Sequence, residues 1–457
     1  MSNNISQRRG LEEVQRILRE DGVVGAGGAG FPTYAKLSRK GEVLLLNCAE
    51  CEPLLELHQQ LLERHPREIF TALEDIALAM EAGEVVICIK KEYEAAIQAA
   101  RQYIASFPGF RLHLLPGVYP AGDEVVMIYE ATGRVVQPGG LPIQEGIVVL
   151  NVETAYNAYQ ALYGHKPTMR KLVTITGEVD HPVTCRLPLG ISAKEAVALA
   201  GKITVDEPVF WEGGPMMGKV VNGYAPVTKT TNSIIVLPRN HPLVLRQKCR
   251  PSIALKRAAS ACCQCRSCTD WCPRHALGHP IQPHLFMRAA AGRDYKDSGL
   301  YLQTLYCSGC GLCENFACPQ GLSPRSLMVE YKAGLKKAGI NTSDAILKPV
   351  KLGREYQQVH TRRLLSRLGL AGYKQRAPYE VLNIDPSEVT VPMAQHIGAP
   401  SEPCVTVGDR VEAGQVIGKA AHGLSVDVHS SIDGTVVSAD SQMVVIRRAC
   451  VQAGEQE

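Results

Sequence analysis

The chain has 457 residues, with 45% hydrophobic and 21% charged side chains, values typical of a folded protein with three or four domains. Its formal net charge of +4 is too small to indicate binding to nucleic acid or to a membrane surface. We expect no direct membrane insertion, because no apolar run approaches the ~20 residues that span a bilayer. Residues 1–10 lack the apolar core of a signal peptide, and free thiols suit a reducing compartment, so the expected location is cytoplasmic.

The first third of the chain alternates short apolar strands with longer helical stretches. Residues 11–20 carry apolar side chains at helical spacing, which predicts a helix packed on the first domain. The βαβ rhythm that follows predicts a parallel α/β sheet. The predicted strands are residues 43–46, 85–89, 111–115 and 147–150, and the predicted helices between them are residues 68–82 and 92–106.

Residues 25–33, GAGGAGFPT, form a glycine-rich loop ahead of the first predicted strand. Glycines let backbone N–H groups approach a phosphate, and a helix N-terminus adds its dipole. No Gly-Lys-Ser/Thr follows, which excludes a P-loop, and no strand clearly leads into the loop, which argues against a dinucleotide fingerprint. On glycine content alone, a phosphate site and a plain tight turn are equally good interpretations.

Three polar segments each follow a predicted strand. They are NCAECEP at residues 47–53, YPAGDE at residues 119–124 and NVET at residues 151–154. Open α/β sheets bind ligands just beyond the carboxyl ends of their strands. Amide and carboxylate side chains at that edge suit the polar rim of a ring and a sugar-alcohol chain, so these segments favour a ligand site.

The composition changes twice further along the chain. Residues 170–240 contain short β runs around one predicted helix, which indicates a small α+β domain. Residues 390–448 contain short strands and glycine turns typical of a lipoyl- or biotinyl-type β-sandwich. Carrier domains of that kind modify a lysine at a hairpin tip, whereas the corresponding hairpin here, GLSVDVHSS, has none. We therefore predict a structural or docking domain there.

Eight cysteines in two tight runs carry the strongest chemical signal. The first run has the C-x-x-C-x-x-C-x-x-x-C-P spacing of a bacterial ferredoxin, and the second has one extra residue before its last cysteine. Zinc or disulfides are the alternatives, but zinc sites usually show two separated C-x-x-C pairs. The two runs therefore predict two 4Fe–4S clusters. In two-cluster ferredoxins the Cys-Pro thiolate ligates the other cluster, and this rule assigns the ligands. One is held by Cys262, Cys265, Cys268 and Cys318, and the other by Cys307, Cys310, Cys313 and Cys272.

A further C-x-x-C pair, Cys48 and Cys51, lies within the first polar segment. A redox disulfide is one interpretation. The acidic neighbours Glu50 and Glu52 would raise a thiol pKa, which favours the alternative of two free thiols.

At this point the motifs resemble a known family. GGAGFPT, N-x-A-E-x-E-P, Y-P-x-G-D-E and NVET together resemble the flavin-binding subunit of respiratory complex I, and still more closely the RnfC component of the Rnf ferredoxin–NAD oxidoreductase. EGGPMMG at residues 212–218 matches an Rnf-type signature. The resemblance implies noncovalent FMN and oxidation of NADH, with no catalytic side chain beyond the cofactors.

The resemblance also implies which residues meet the flavin. The implied contacts are Gly25, Gly27, Gly28, Gly30 and Lys36 at the phosphate, Asn47 and Glu50 near the ring or ribityl chain, Gly122, Asp123 and Glu124 on the flavin and nicotinamide side, and Asn151 and Thr154 near the phosphate end.

Domain order separates the relatives. The RnfC protein has its β-sandwich at the N-terminus, whereas the similar segment here follows the cysteines. That order resembles the PduS family, the cobalamin reductases of propanediol-utilisation microcompartments. The implied fold is a multidomain α/β protein with a Rossmann-like FMN/NADH domain (1–165), a β-grasp domain of the soluble-ligand-binding (SLBB) type (166–244), a helical two-cluster ferredoxin-like domain (245–345), and a linker with a lipoyl-like barrel-sandwich domain (346–457).

The resemblance implies an NADH-dependent electron-transfer enzyme that reduces cobalamin within a bacterial microcompartment. Its implied partners are NADH, a cobalamin or a corrinoid-handling enzyme such as an adenosyltransferase, and microcompartment shell proteins. Three alternatives stay open: a microcompartment conduit that recycles NADH to NAD, an Rnf-like component serving ferredoxin, and a cluster-bearing docking module without flavin.

Overall fold

The computed structural model describes residues 9–341, 345–373 and 376–448. The first part of the chain is an α/β layer structure. Its elements are α1 (Leu11–Glu20), α2 (Thr33–Lys36), β1 (Val43–Cys48), α3 (Leu57–Arg64), α4 (Pro66–Met80), β2 (Glu84–Lys90), α5 (Glu94–Ile104), β3 (Phe110–Leu115), β4 (Val118–Tyr119), α6 (Glu124–Thr132), β5 (Ile147–Asn151) and α7 (Val152–Gly164).

The four main strands form a parallel sheet in the order β3-β2-β1-β5, which confirms the predicted parallel arrangement. Helices cover both faces, so β1, β2 and β5 are almost entirely apolar and are buried except for one half-buried residue in each strand. The chain moves outward from β1 to β2 and β3, then returns to place β5 on the other side of β1. The resulting switch point lies between β1 and β5, where Asn47 and Asn151 are paired in register.

The second part is a five-stranded sheet with one helix on its apolar face. The order is β7-β6-β10-β8-β9, with β10 parallel to β6 and the other pairs antiparallel. Ser192 caps the helix and exchanges hydrogen bonds with Glu195 in a capping box. The elements are β6 (Arg170–Gly177), β7 (Val183–Pro188), α8 (Ala193–Ala198), β8 (Pro208–Glu212), β9 (Lys219–Val221) and β10 (Ser233–Pro238).

The cysteine-bearing part is built from short helices. Most of them start with a proline at the first position, where its missing N–H costs nothing. Cys272 is the N-cap of one such helix, so its Cys-Pro element directs the chain into a helix start. The helices are α9 (Pro242–Gln247), α10 (Pro251–Ala261), α11 (Ser267–Asp270), α12 (Pro273–Ala276), α13 (Pro283–Gly292), α14 (Gly299–Leu302) and α15 (Pro324–Lys337).

The last part begins with a linking segment that returns to the first domain, where β11 pairs with β4. Two small antiparallel sheets then enclose an apolar core in a sandwich. Its first strand pairs with its last, with Glu388 opposite Arg447. The elements are β11 (Val359–His360), α16 (Thr361–Leu368), β12 (Glu388–Pro392), β13 (Glu402–Pro403), β14 (Arg410–Val411), β15 (Val416–Lys419), β16 (Val428–His429), β17 (Gly434–Ala439) and β18 (Met443–Arg447).

The predicted helices and strands of the first domain are present, with bounds shifted by a few residues. The sequence did not predict α3, α6 or α7, and α7 begins directly after Asn151. Asn151 therefore caps a helix as well as ending a strand, since its side chain accepts a hydrogen bond from the N–H of Glu153. No helix among the described residues is long and apolar enough to cross a membrane.

Candidate functional site

A cavity of about 440 Å³ opens at the carboxyl ends of β1 and β5. This is the switch point of the sheet, the place where such sheets bind ligands. Leu141, Pro142 and Ile143 form an apolar wall along it. Ten of the twelve predicted flavin contacts line the cavity, namely Gly25, Gly27, Gly28, Gly30, Lys36, Asn47, Gly122, Glu124, Asn151 and Thr154.

The glycine loop is held against the start of α7. The N–H of Ala26 donates to Thr154 Oγ1 at 2.9 Å. A Cβ on Gly27 would lie 2.5 Å from Asn151 Nδ2, so this position accepts only glycine without rearrangement. Glycine backbone and a thirteen-residue helix N-terminus therefore face the same corner of the cavity. That combination suits an anionic phosphate.

Lys36 and Glu124 form an ion pair on the cavity wall. Lys36 Nζ lies 3.1 Å from Glu124 Oε1 and donates to the carbonyl oxygen of Val149 at 3.2 Å. Asn47 uses its amide internally, since Nδ2 donates to the carbonyl oxygen of Gly122 at 3.0 Å. Asn47 thus fixes the position of the Gly122 loop, and Lys36 supplies a cation that a phosphate can share.

Glu50 and Asp123, the other two predicted contacts, do not line the cavity. Glu50 is buried behind it, where Oε2 accepts from the backbone N–H of His58 at 3.1 Å. Burial raises the pKa of Glu50 to about 8, so its carboxyl is mostly neutral at pH 7. Burial likewise lowers the pKa of His58 to about 3, so that imidazole is neutral.

Asp123 faces the cysteine-bearing part of the chain. Its Oδ1 accepts from the N–H groups of Val125 and Val126 at 3.1 and 3.2 Å and so caps α6. The same side chain pairs with Arg274 at 3.0 Å. Because Arg274 follows the Cys272-Pro273 element directly, this ion pair connects the loop beside the cavity to a predicted cluster ligand.

The eight predicted cluster cysteines lie in two sets of four. Each set lines its own small cavity and contains one Cys-Pro cysteine from the other run, and Cys263 also lines the first cavity. Backbone N–H groups donate to two of the thiols, from Gly309 to Cys307 at 3.3 Å and from Leu322 to Cys318 at 3.4 Å. The first quartet is Cys262, Cys265, Cys268 and Cys318, and the second quartet is Cys272, Cys307, Cys310 and Cys313.

Four converging sulfur donors suit an iron–sulfur cluster, and N–H···S contacts tune its potential. Burial raises the pKa of Cys272 to about 11 and that of Cys268 to about 12. Both are therefore neutral thiols before metal binding, and cluster assembly releases their protons. The donor chemistry fits the predicted group.

The second quartet lies against the cavity side of the molecule. The hydroxyl of Tyr119 donates to the carbonyl oxygen of Cys310 at 2.5 Å. Tyr119 belongs to the YPAGDE segment, whose Gly122 lines the cavity. Together with the Asp123–Arg274 pair, this contact places the second quartet next to the candidate flavin site.

Cys48 and Cys51 are free thiols. Burial raises the pKa of Cys51 to about 11 and that of Cys48 well above its usual value, with Glu50 a smaller cause for Cys48. The Sγ of Cys51 accepts from the N–H of Gly122 at 2.6 Å. The free-thiol interpretation agrees with the structure, although burial contributes more than the acidic neighbours.

Three groups of site residues were missed by the sequence analysis, and one of them is the apolar wall of Leu141, Pro142 and Ile143. Ile397 of the sandwich lines the cavity, and its N–H donates to the carbonyl oxygen of Gly30 at 3.1 Å. Nothing local in the sequence indicates this contact between residues more than 360 positions apart. Arg274 was also missed, although its position directly after the Cys-Pro element offered a signal.

Three family models match parts of the chain. The Nuo51 FMN-binding domain matches residues 18–160, the 4Fe-4S dicluster domain matches residues 261–323, and the RnfC barrel sandwich hybrid domain matches residues 374–453. The multidomain α/β prediction is confirmed at this level, and so are FMN and 4Fe–4S clusters as the cofactors. The dicluster match also decides against zinc and disulfides at the two quartets.

Curated relatives match over most of the chain. Cobalamin reductase PduS of Salmonella typhimurium is 40% identical over 98% of this chain and 99% of its own length. Its Citrobacter freundii counterpart is 39% identical over 96% and 97%, respectively. The C component of the ion-translocating oxidoreductase complex of Klebsiella pneumoniae is 30% identical over 62% of this chain and 36% of its own length. The chain therefore belongs to the PduS family.

Proposed function

We propose that the chain oxidises NADH and delivers the electrons to a cobalamin, reducing cob(III)alamin to lower oxidation states. One observation carries the proposal: the cavity beside Gly122 and the second quartet are joined by the Asp123–Arg274 ion pair. A flavin site and a cluster site thus share one continuous piece of structure. Likeness to curated cobalamin reductases over nearly the whole chain supports the choice of acceptor.

The proposed division of labour follows the cavity. The glycine loop and the start of α7 bind the phosphate, with Lys36 as an added cation. Asn47 and Gly122 shape the ring end, and Glu124 balances the charge of Lys36. Glu50 and Asp123 act from behind as positioning residues, since both lie outside the cavity lining. The two cysteine quartets hold one cluster each.

When bound, FMN and the clusters supply the conversion of a two-electron hydride into single electrons. The chain contributes binding and orientation. Leu141, Pro142 and Ile143 give one side of the cavity an apolar surface against which a flat ring can pack. No side-chain acid or base is needed, because a hydride carries both electrons and its own proton.

The finer domain assignment is part of this proposal. We place domains at residues 1–165, 166–244, 245–345 and 346–457. An SLBB-type β-grasp assignment for the second domain is supported by its mixed five-stranded sheet and single crossing helix. The same family membership supports placement in a bacterial microcompartment. A corrinoid-handling enzyme such as an adenosyltransferase and shell proteins are the proposed partners.

An anaerobic titration of the reconstituted protein with NADH tests the proposal. We expect the flavin band at about 450 nm to bleach together with the broad cluster absorbance. Cob(III)alamin added afterwards should restore both and be reduced itself. A flavin that NADH leaves oxidised would contradict the proposal, as would a reduced protein that cob(III)alamin does not reoxidise.

The exposure of Cys265 favours a second candidate function, an electron conduit to another protein. Free cob(III)alamin separates the two, because a pure conduit would pass electrons to a protein carrier while leaving the corrinoid unchanged.

A further inference from the structure

The two cysteine quartets differ in their access to solvent. Cys265 in the first quartet is exposed, whereas Cys272 and Cys313 in the second quartet are buried. The residues that line the cavity of the first quartet all belong to the cysteine-bearing part, namely residues 262–266, 268, 284, 287, 318–320, 322 and 324. The second quartet faces the flavin cavity through Tyr119 and Arg274. The second quartet therefore lies beside the cavity, and the first quartet is the one that an external acceptor can approach.

The surface around the first quartet is cationic. Arg257 donates to the carbonyl oxygen of Gly321 at 3.4 Å, three residues after Cys318. Arg266 lines the cavity and pairs with the carboxylate of Asp270 at 3.2 Å. Arg288 is exposed on α13, next to a lining residue. We call Arg257, Arg266 and Arg288 the cationic face.

The sequence reinforces this charge. From residue 239 to residue 269 the chain has seven lysines and arginines and no aspartate or glutamate. Two of the seven pair with carboxylates outside this segment, Arg239 with Glu207 and Arg266 with Asp270, which leaves an excess of five positive charges. A local field of one sign raises association rates with oppositely charged partners by about 10- to 1000-fold at low salt.

We propose that the cationic face docks an acidic protein surface that carries the one-electron acceptor. This inference rests on the proposed function and names the class of partner that receives the electrons. Each NADH gives up a hydride, becomes NAD+ and releases one proton to solvent overall. Its two electrons leave one at a time, so two one-electron acceptors are reduced for each NADH.

Cys263 gives a direct measure of docking. It is an exposed thiol beside Cys265 that we do not assign as a ligand, and Cys404 is an exposed thiol on the sandwich. Alkylation of both is followed in the oxidised cluster-loaded protein, with an acidic plant-type ferredoxin as the probe. We expect the probe to slow Cys263 alkylation at least about fivefold at ~20 mM salt, to lose this effect at ~0.5 M salt, and to leave Cys404 unchanged.

Charge reversal tests the face itself. Arg257→Glu with Arg288→Glu should abolish the protection of Cys263, and the milder Arg257→Gln with Arg288→Gln should reduce it. The control variant, Arg67→Glu with Arg101→Glu, makes the same charge change at exposed positions on α4 and α5. In this variant the probe should still protect Cys263. Flavin bleaching by NADH should match wild type in all three.

Four results would overturn the inference: no protection of Cys263, protection that survives charge reversal, equal protection by the basic protein cytochrome c, or protection by free aquacobalamin alone. The last would identify a small corrinoid as the occupant. The footprint needs no NADH, so its failure and a failure of NADH oxidation are read separately.

Discussion

The backbone N–H of Ile397 donates to the carbonyl oxygen of Gly30 at 3.1 Å and ties the barrel-sandwich to the glycine loop. Gly30 has a φ of +73°, and a Cβ there would lie 2.9 Å from Thr230 Cγ2 and 3.0 Å from the carbonyl oxygen of Gln395. The loop assigned to the flavin phosphate is thus held by the sandwich and by the second domain. FMN binding should depend on residues far from the flavin domain in sequence.

Ile397→Ala should weaken FMN binding while the protein stays folded. The side chain lines the cavity at 44% exposure, and losing part of its apolar contact costs about 1 kcal/mol, a roughly fivefold rise in Kd. Quenching of FMN fluorescence by the flavin-free protein measures this. Val407→Ala removes an apolar side chain of 65% exposure from the same domain and should leave the Kd unchanged. Equal Kd values for both variants would contradict a role for Ile397.

Asp123→Asn should destabilise the contact between the flavin domain and the second quartet. An asparagine can still cap α6, but it leaves Arg274 without its counter-charge in a site where the two side chains are only 10% and 17% exposed. We expect a loss of about 2 kcal/mol, read as a lower thermal midpoint and slower cluster reduction by NADH. The exposed Arg16–Glu20 pair supplies the control, since Glu20→Gln should cost under about 0.5 kcal/mol.

Glu50→Gln should remove a pH dependence of stability. The folded-state pKa of Glu50 is raised by burial to about 8 from an ordinary 4.5. Its neutral form is favoured by folding, so the stabilisation is full below about pH 4.5 and is lost as the pH rises towards 8. The amide still accepts from the N–H of His58. Thermal midpoints between pH 5 and 9 should fall more steeply for wild type than for Glu50→Gln, and parallel curves would show that Glu50 does not titrate in this range.

Lys171→Met should be strongly destabilising, and a second substitution should rescue it. Lys171 Nζ lies 2.5 Å from Glu153 Oε2 at the junction of α7 and β6, with both side chains 1% exposed. Removing the charge of Lys171 leaves the buried Glu153 carboxylate without a partner, which lowers the free energy of unfolding by about 3–5 kcal/mol. Adding Glu153→Gln neutralises the stranded carboxylate and keeps an acceptor for the N–H of Leu172. Denaturant midpoints of the single and double variants measure the recovery, and equal midpoints would argue against charge burial as the cause.

The cross-over of the two Cys-Pro cysteines can be read by electron paramagnetic resonance. Cys318→Ser and Cys262→Ser should perturb one reduced-cluster signal, and Cys272→Ser and Cys307→Ser the other, because each pair lines one cavity. A Cys318→Ser effect on the same signal as Cys307→Ser would assign each run to its own cluster. Cys263→Ser serves as the control and should leave both signals intact.

The sequence predicted the residues that line the cavity better than the buried residues behind them. The polar segments at 47–53, 119–124 and 151–154 meet because parallel strands bring their carboxyl ends to one edge, a rule that spacing alone can use. Glu50 fell outside the cavity because it lies two residues beyond the end of β1, where its side chain turns towards α3. Only the packing of α3 shows that Glu50 points towards the N–H of His58.

Contacts between domains were beyond prediction from the sequence. Three thiols of each quartet follow from short C-x-x-C spacing, and the fourth follows from the ferredoxin rule that the Cys-Pro cysteine ligates the other cluster. Ile397 reaches Gly30 only because the sandwich packs onto the end of α1, where the N–H of Asp427 donates to the carbonyl oxygen of Arg19 at 3.1 Å. Such packing depends on the surface shapes of two folded domains, and no periodicity in the sequence predicts it.

The first and last strands of the barrel-sandwich lie side by side, with Glu388 opposite Arg447. The two chain ends of this domain are therefore adjacent. A domain with adjacent ends can be moved by recombination to another position in a gene as one intact unit. The hydrogen bond from Ile397 to Gly30 would be kept after such a move, because it depends on the packing of the two domains and not on their order in the gene. Joined by a suitable linker ahead of α1, the same domain should still reach Gly30, so rearranged genes could keep one working flavin site.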